Sequence, residues 1–149
     1  MSKFRFRLAT MLKLREATRD ERRMALAEAY QADEVLQGYL NNLQHELDAT
    51  QSTYRRSIEP GPVDIDPLID AQRYEVTMKA QMQHVNQQRA RLQNEIEHRR
   101  EALMLADRDV RILEKLRENQ AREHAQAEEV QLMKFLDEVA QRGGQKVDH

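Results

Sequence analysis

Apolar side chains recur along most of this chain in alternating steps of four and three residues. In the first half the repeat runs through Leu8, Leu12, Arg15, Arg19, Arg22, Leu26, Ala29, Asp33, Leu36, Leu40, Leu43, Leu47, Thr50 and Tyr54. In the second half it runs through Met78, Met82, Val85, Arg89, Leu92, Ile96, Arg99, Leu103, Ala106, Val110 and Leu113. A heptad repeat places its members on one stripe of an α-helix, so the pattern predicts two helices that pack as a left-handed coiled coil.

One short segment separates the two repeats, and it holds all three prolines of the chain, between residues 60 and 67. Asp66 suits an N-cap, Pro67 suits the first helical position, and Gly143 with Gly144 suits a helix end. We therefore predict a single domain over 1–149. Its parts are helix 1 over about 4–57, a turn over about 58–66, helix 2 over about 67–142 and a flexible tail over 143–149.

The predicted fold class is all-α: a long antiparallel two-helix coiled-coil hairpin whose C-terminal helix overhangs. Counting from the helix ends, residue i faces a residue near 124 − i, which places Phe4 to Leu8 beside residues near 116–120. It also places Arg15 and Arg19 near Asp109 and Asp107.

Residues from about 121 to 142 then extend past the N-terminus, over roughly 30 Å at 1.5 Å per residue. Their apolar stripe consists of Leu132, Phe135, Leu136 and Val139. An exposed apolar patch of this kind usually marks an interaction site.

Two positions interrupt the regular pattern of the first helix. Where the repeat becomes polar, at Arg15 to Arg22, apolar residues lie on a neighbouring stripe, which predicts a local change of phase. These residues are Met11, Leu14, Ala17 and Met24. Gly38 inside the helix costs about 1 kcal/mol relative to alanine, and it either permits a close helix approach or is simply tolerated.

Composition and charge fit this plan. Charged residues make up 34 % of the chain and hydrophobic residues 40 %, which is enough for a seam between two helices. Residues 1–24 carry eight Lys/Arg against three Asp/Glu, whereas residues 25–70 carry two against nine. Positive charge at a helix start opposes the helix dipole, so the basic start suggests an acidic partner; the alternative is a solvated basic face.

Several kinds of chemistry find no support in the sequence. The absence of cysteine excludes disulfides and thiolate metal sites, and we expect neither an enzyme nor a cofactor, because no phosphate loop or nucleophile motif is present. Glu95 and His98 have the spacing of di-iron bundles, but such bundles need two copies. No secretory signal or membrane span is predicted, so we expect a soluble, cytoplasmic protein that binds no specific nucleic acid.

Two ends of the chain carry distinctive runs of residues. The start reads Phe4-Arg5-Phe6-Arg7-Leu8 followed by Met11-Leu12, and the C-terminal half contains Leu113-Glu114-Lys115-Leu116 and the later run Asp137-Glu138-Val139-Ala140. These runs resemble the opening and the C-terminal half of the FliJ family of flagellar export proteins. The resemblance covers nearly the whole chain.

The resemblance implies a cytoplasmic, non-catalytic component of the flagellar type III export apparatus that resembles the central stalk of rotary ATP synthases. It implies association with the hexameric export ATPase (FliI), the membrane export gate (FlhA) and export chaperones, peripherally on the inner face of the cell membrane at the flagellar base. The predicted partner-binding residues are Phe4, Arg5, Phe6, Arg7, Leu8, Leu12, Arg15, Leu113, Glu114, Lys115, Leu116, Arg117, Phe135, Leu136, Asp137 and Glu138. Two alternatives stay open: the equivalent stalk protein of a virulence type III secretion system, and a homodimeric coiled-coil scaffold that pairs through the apolar overhang.

Overall fold

The computed structural model describes residues 2–57 and 65–147. These residues form two α-helices, α1 over Ala9–Ser57 and α2 over Ile65–Val147, and contain no strand. The two helices pack against each other, which confirms the predicted all-α class and is consistent with a helical hairpin. Most of the predicted turn, residues 58–64, lies outside the described residues.

The helix boundaries differ from the prediction at three places. Helix α1 begins at Ala9 and not near residue 4, because residues 2–6 are not helical and residues 7 and 8 form a turn. Helix α2 begins at Ile65, so Pro67 lies in its first turn, where the missing N–H group costs little. At the other end α2 continues to Val147, and Gly143 does not end it, since glycine weakens a helix without forbidding it.

The contacts divide the chain into two units. The terminal unit comprises Met1–Glu21 with Met104–His149, and the central unit comprises Arg22–Leu103. In each unit a segment of α1 lies beside a segment of α2.

The core of the central unit consists of residues from the two predicted stripes. Leu43, Leu47, Met78 and Val85 form one buried cluster. Leu36, Leu40 and Met82 pack against this cluster and are partly buried. The heptad pattern therefore identified these core positions correctly.

Polar members of the stripes are paired within the central unit. Arg89 Nε lies 3.0 Å from an Asp33 carboxylate oxygen, and both side chains are largely shielded from solvent. The Arg99 guanidinium donates a hydrogen bond to the backbone carbonyl of Ala25, which belongs to α1. The first contact pairs two partly buried charges, and the second adds to the ion pair of Arg99 with Glu95 at 3.0 Å.

Two further features of the central unit bear on its stability. The Tyr74 hydroxyl donates to a Glu46 carboxylate oxygen at 3.1 Å, and this hydrogen bond raises the pKa of Tyr74. A Cβ atom added at Gly38 would meet nothing within 4 Å. Gly38 is therefore a tolerated glycine and not a site of close helix approach.

The core of the terminal unit is built around Val110, which is fully buried, together with Leu12 and Leu113. Phe6 and Leu8 pack against this cluster. The expected change of phase is wrong in this unit. The residues of the neighbouring stripe, Met11 and Leu14, are exposed, because Leu12 keeps its heptad position in the seam.

Candidate partner-binding site at the chain termini

An extended N-terminal segment, residues 2–6, precedes a turn at residues 7 and 8 and then α1. The side chains at even positions from Phe4 to Leu8 are partly buried, whereas Lys3, Arg5 and Arg7 are exposed. Partly buried apolar side chains therefore alternate along the N-terminal residues with three cations that are exposed to water.

The apolar side of this segment is held by residues on α2. The Phe4 ring lies 5.8 Å from the His124 ring, centroid to centroid. The His124 Nε2 atom lies 3.0 Å from the Ser2 carbonyl oxygen and 3.2 Å from a Glu128 carboxylate oxygen. Both neighbours of Nε2 accept hydrogen bonds, so this nitrogen carries a proton and donates it.

The helix begins where the segment meets the core cluster. The Ala9 N–H donates to the Phe6 carbonyl at 3.2 Å, and the Leu12 N–H donates to the Leu8 carbonyl at 2.9 Å. The predicted start near residue 4 is too early, because the heptad repeat begins only at Leu8 and the residues before it do not continue it. The strict alternation of aromatic and basic residues from Phe4 to Arg7 was the signal for an extended segment.

We call the contacts of His124 with Ser2 and Phe4 the N-terminal anchor. Beyond this anchor, α2 has an exposed stretch. Every residue from 129 to 144 is exposed. Its apolar side chains are at least half exposed and comprise Val130, Leu132, Met133, Phe135, Leu136 and Val139. The exposed stretch starts later than the predicted residue 121, because His124 and Glu128 lie beside the extended segment.

A groove marks the start of the exposed stretch. Its volume is about 560 Å³, and it is lined by Ser2 from the N-terminus together with Ala125, Glu128, Glu129, Gln131 and Leu132 of α2. The N-terminal residues and the exposed helix therefore form one continuous surface within the terminal unit.

The structure assigns different surroundings to the predicted partner-binding residues near the seam. Leu12 and Leu113 are buried in the core, so their immediate role is packing. Arg15 lies 3.7 Å from Asp109, as the counting rule predicted, and both side chains are about half exposed. The other predicted pairing is wrong: Arg19 contacts Asp20 on its own helix, and Asp107 pairs with Arg111.

The remaining predicted residues lie farther along α2. Glu114 and Leu116 are partly buried, whereas Lys115 and Arg117 are exposed. Phe135, Leu136, Asp137 and Glu138 are all exposed in the stretch beyond the anchor. Both groups share the terminal unit with the N-terminal segment.

The geometry favours surface recognition. Within residues 2–57 and 65–147, no group of three or more His, Asp and Glu side chains could hold a metal ion. No helix among the described residues is long and apolar enough to cross a membrane. The terminal unit instead presents a row of cations and an unpartnered apolar helix face, which are features that bind another macromolecule.

Comparison with known proteins gives one finding. A search of curated proteins and a search of solved structures returned no match. The family model described as "Flagellar FliJ protein" matches residues 4–147. The matched region covers the N-terminal anchor, both helices and the exposed stretch of α2. The chain therefore belongs to the FliJ family, and it is a component of flagellar protein export.

Proposed function

We propose that this chain is the stalk of the flagellar export motor: its terminal unit binds the hexameric export ATPase and stimulates it. We further propose that it links this ATPase to the membrane export gate and to export chaperones, which would hold it peripherally at the flagellar base. Membership of a family of non-catalytic export stalk proteins supports this role.

The observation that carries the proposal is the composite surface of the terminal unit. Arg5 and Arg7 are exposed at the N-terminal segment, while Phe135 and Leu136 are exposed on the stretch of α2 beyond it. A stalk inside a ring needs such a surface, because exposed aromatic and arginine side chains are the residue types that dominate binding energy at protein interfaces.

The positive charge of this surface indicates the charge of its partner. The cations at Lys3, Arg5 and Arg7 are exposed, and none of them has an ion pair in the described part of the chain. A row of unpaired cations attracts an acidic surface and raises the rate of encounter with it. We therefore expect the ATPase surface that receives this end to be acidic.

The test is the ATPase rate of the purified export ATPase hexamer titrated with this chain. The variant combines Arg5→Glu, Arg7→Glu and Phe135→Ser, which alters only exposed side chains. We expect it to lose stimulation and to bind the hexamer at least about tenfold more weakly, which corresponds to about 1.4 kcal/mol.

A matched control in the central unit carries the same two charge reversals and one replacement of an exposed apolar side chain by serine: Arg55→Glu, Arg56→Glu and Val35→Ser. All three side chains are exposed there. We expect the control to bind and stimulate like the unaltered chain. Equal stimulation by the unaltered chain and the terminal variant would sink the proposed contact.

A homodimeric scaffold is the second candidate, because the exposed apolar stretch of α2 is also suited to pairing with its copy. Sedimentation of the purified chain separates the two functions. A monomer at micromolar concentration that binds the ATPase supports the stalk. A tight dimer that Phe135→Ser dissociates, and that is indifferent to the ATPase, supports the scaffold.

A further inference from the structure

The terminal unit carries a second apolar face, separate from the exposed stretch at 129–144. On α1 it comprises Met11 and Leu14, which are 45 % and 65 % exposed. On α2 it comprises Leu105 and Ile112, each 56 % exposed. All four side chains belong to the terminal unit and none is part of its core.

The ion pair between Arg15 and Asp109 shows that the exposed apolar residues of α1 and those of α2 face the same side of the terminal unit. Residues three and four apart are neighbours on a helix surface. Arg15 is therefore the neighbour of Met11, and Asp109 is the neighbour of both Leu105 and Ile112. Because the two charged groups meet at 3.7 Å, the apolar side chains beside them border one common face.

The exposed apolar area of this face is large enough for a binding site. Four side chains about half exposed present on the order of 400 Å² of apolar surface, which is the size of patch that is often functional in a monomer. A shallow cavity of about 290 Å³ adjoins it, lined by Met104, Arg108, Ile112 and Lys115 together with Asp107 and Arg111. The face therefore combines an apolar centre with a depression for side chains.

The charges at its border select the partner. Arg108 and Lys115 are the helical neighbours of Ile112, both are exposed, and neither has an ion pair within the described residues. Of the acidic groups beside the face, Asp109 contacts Arg15 and Asp107 contacts Arg111, whereas Glu101, four residues before Leu105, is exposed. The border is therefore positive beside Ile112, where Arg108 and Lys115 lie.

We propose that this face, which we call the lateral face, binds an amphipathic α-helix of another protein whose apolar stripe is flanked by acidic residues. The apolar stripe covers Met11, Leu14, Leu105 and Ile112, and the acidic flank meets Arg108 and Lys115. A helix laid along a groove in this way anchors through residues at steps of three and four. The site is independent of the proposed ATPase contact, which uses Arg5, Arg7 and Phe135.

The test uses the full chain and two synthetic helical peptides with leucine at heptad a and d positions. One peptide has glutamate on both flanks and the other has lysine. Fluorescence anisotropy gives the affinity of each peptide. We expect the acidic peptide to bind, and the variant Leu14→Ser with Ile112→Ser to bind it at least about tenfold more weakly.

Two further variants sharpen the result. The control Val35→Ser with Val76→Ser removes side chains that are 72 % and 68 % exposed in the central unit, and we expect it to bind normally. Arg108→Glu with Lys115→Glu should lose the acidic peptide and gain the basic one, since charge complementarity sets the choice.

The proposal is overturned by any of three results. These are equal affinity for the two peptides, no binding of either, and equal loss of binding in the control. A fourth overturns it as well: sedimentation that shows a dimer which Ile112→Ser dissociates means that a second copy covers the face. The variant Leu14→Ser with Ile112→Ser leaves Arg5, Arg7 and Phe135 unaltered, so we expect it to stimulate the ATPase normally and the two proposals to fail separately.

Discussion

Replacing Leu12 by alanine tests whether the heptad seam runs through the basic part of α1. Leu12 is 3 % exposed in the core of the terminal unit, whereas Leu14, two residues on, is 65 % exposed. The two changes remove the same atoms from the same helix. Any difference between Leu12→Ala and Leu14→Ala therefore comes from burial.

The magnitude follows from the burial of each side chain. Leucine to alanine removes three carbon atoms, worth about 0.8 kcal/mol each when fully buried, or about 2.4 kcal/mol. A residual cavity adds to this, but the cluster is thin and can partly collapse, so we expect about 2.5–3.5 kcal/mol for Leu12→Ala. Leu14 is about one-third buried, and the gain in helix propensity offsets part of its loss. We expect Leu14→Ala to cost about 0.5 kcal/mol.

The assay is urea unfolding followed by far-ultraviolet circular dichroism, with hydrogen exchange of the backbone amides from Ala106 to Leu113 as a local readout. The local readout is needed because a chain with two units need not unfold in one step. Leu12→Ala should raise exchange in this segment by one to two orders of magnitude relative to Leu14→Ala. Equal effects of the two changes would refute the seam and restore the shifted stripe that includes Leu14.

Two further changes test the central unit. Gly38→Ala should raise the midpoint of thermal unfolding and stabilise by about 0.5–1 kcal/mol, since the added Cβ meets no atom within 4 Å; an unchanged or lower midpoint would contradict this. Asp33→Ala should cost about 1–3 kcal/mol in urea unfolding because it leaves Arg89 partly buried without its partner, while Asp33→Leu with Arg89→Leu should match or exceed the unaltered stability. A double variant less stable than Asp33→Ala would show that the pair itself stabilises the seam.

The heptad repeat predicted most of the fold because burial in a two-helix seam depends on a single period. Leu43, Leu47, Met78 and Val85 were all stripe positions, and all are buried. The counting rule placed Arg15 opposite Asp109 because both helices rise by the same length per residue. The buried positions and the Arg15–Asp109 pair follow from the helix geometry and from one fixed pairing of residues between the two helices.

The ion-pair partners, the end of α2 and the exposed faces depend on local alternatives of similar free energy. The heptad period does not distinguish between these alternatives. Arg19 reaches Asp20 on its own helix, although Asp107 was the expected partner, because flexible charged side chains on a surface pair with whatever is near at little cost. The glycine pair Gly143 and Gly144 stays helical, since glycine weakens a helix without forbidding it. The lateral face was not predicted for a related reason. The sequence pattern assigns Met11 and Leu14 to a shifted seam, but both side chains are exposed and form part of the surface.

The start of the chain shows how two periods in one sequence can produce one surface. From Phe4 to Leu8 apolar residues recur every two positions, and from Leu8 onwards they recur at steps of four and three. Leu8 belongs to both patterns, and it is the residue whose carbonyl accepts the first hydrogen bond from Leu12. Were residues 4–8 helical, Arg5 and Arg7 would be separated by 200° around the helix, at 3.6 residues per turn. In the structure residues 2–6 are not helical and residues 7 and 8 form a turn, and Arg5 and Arg7 are both exposed on either side of the partly buried Phe6. The end of the helical period at Leu8 therefore leaves in water the two cations that the proposed ATPase contact requires.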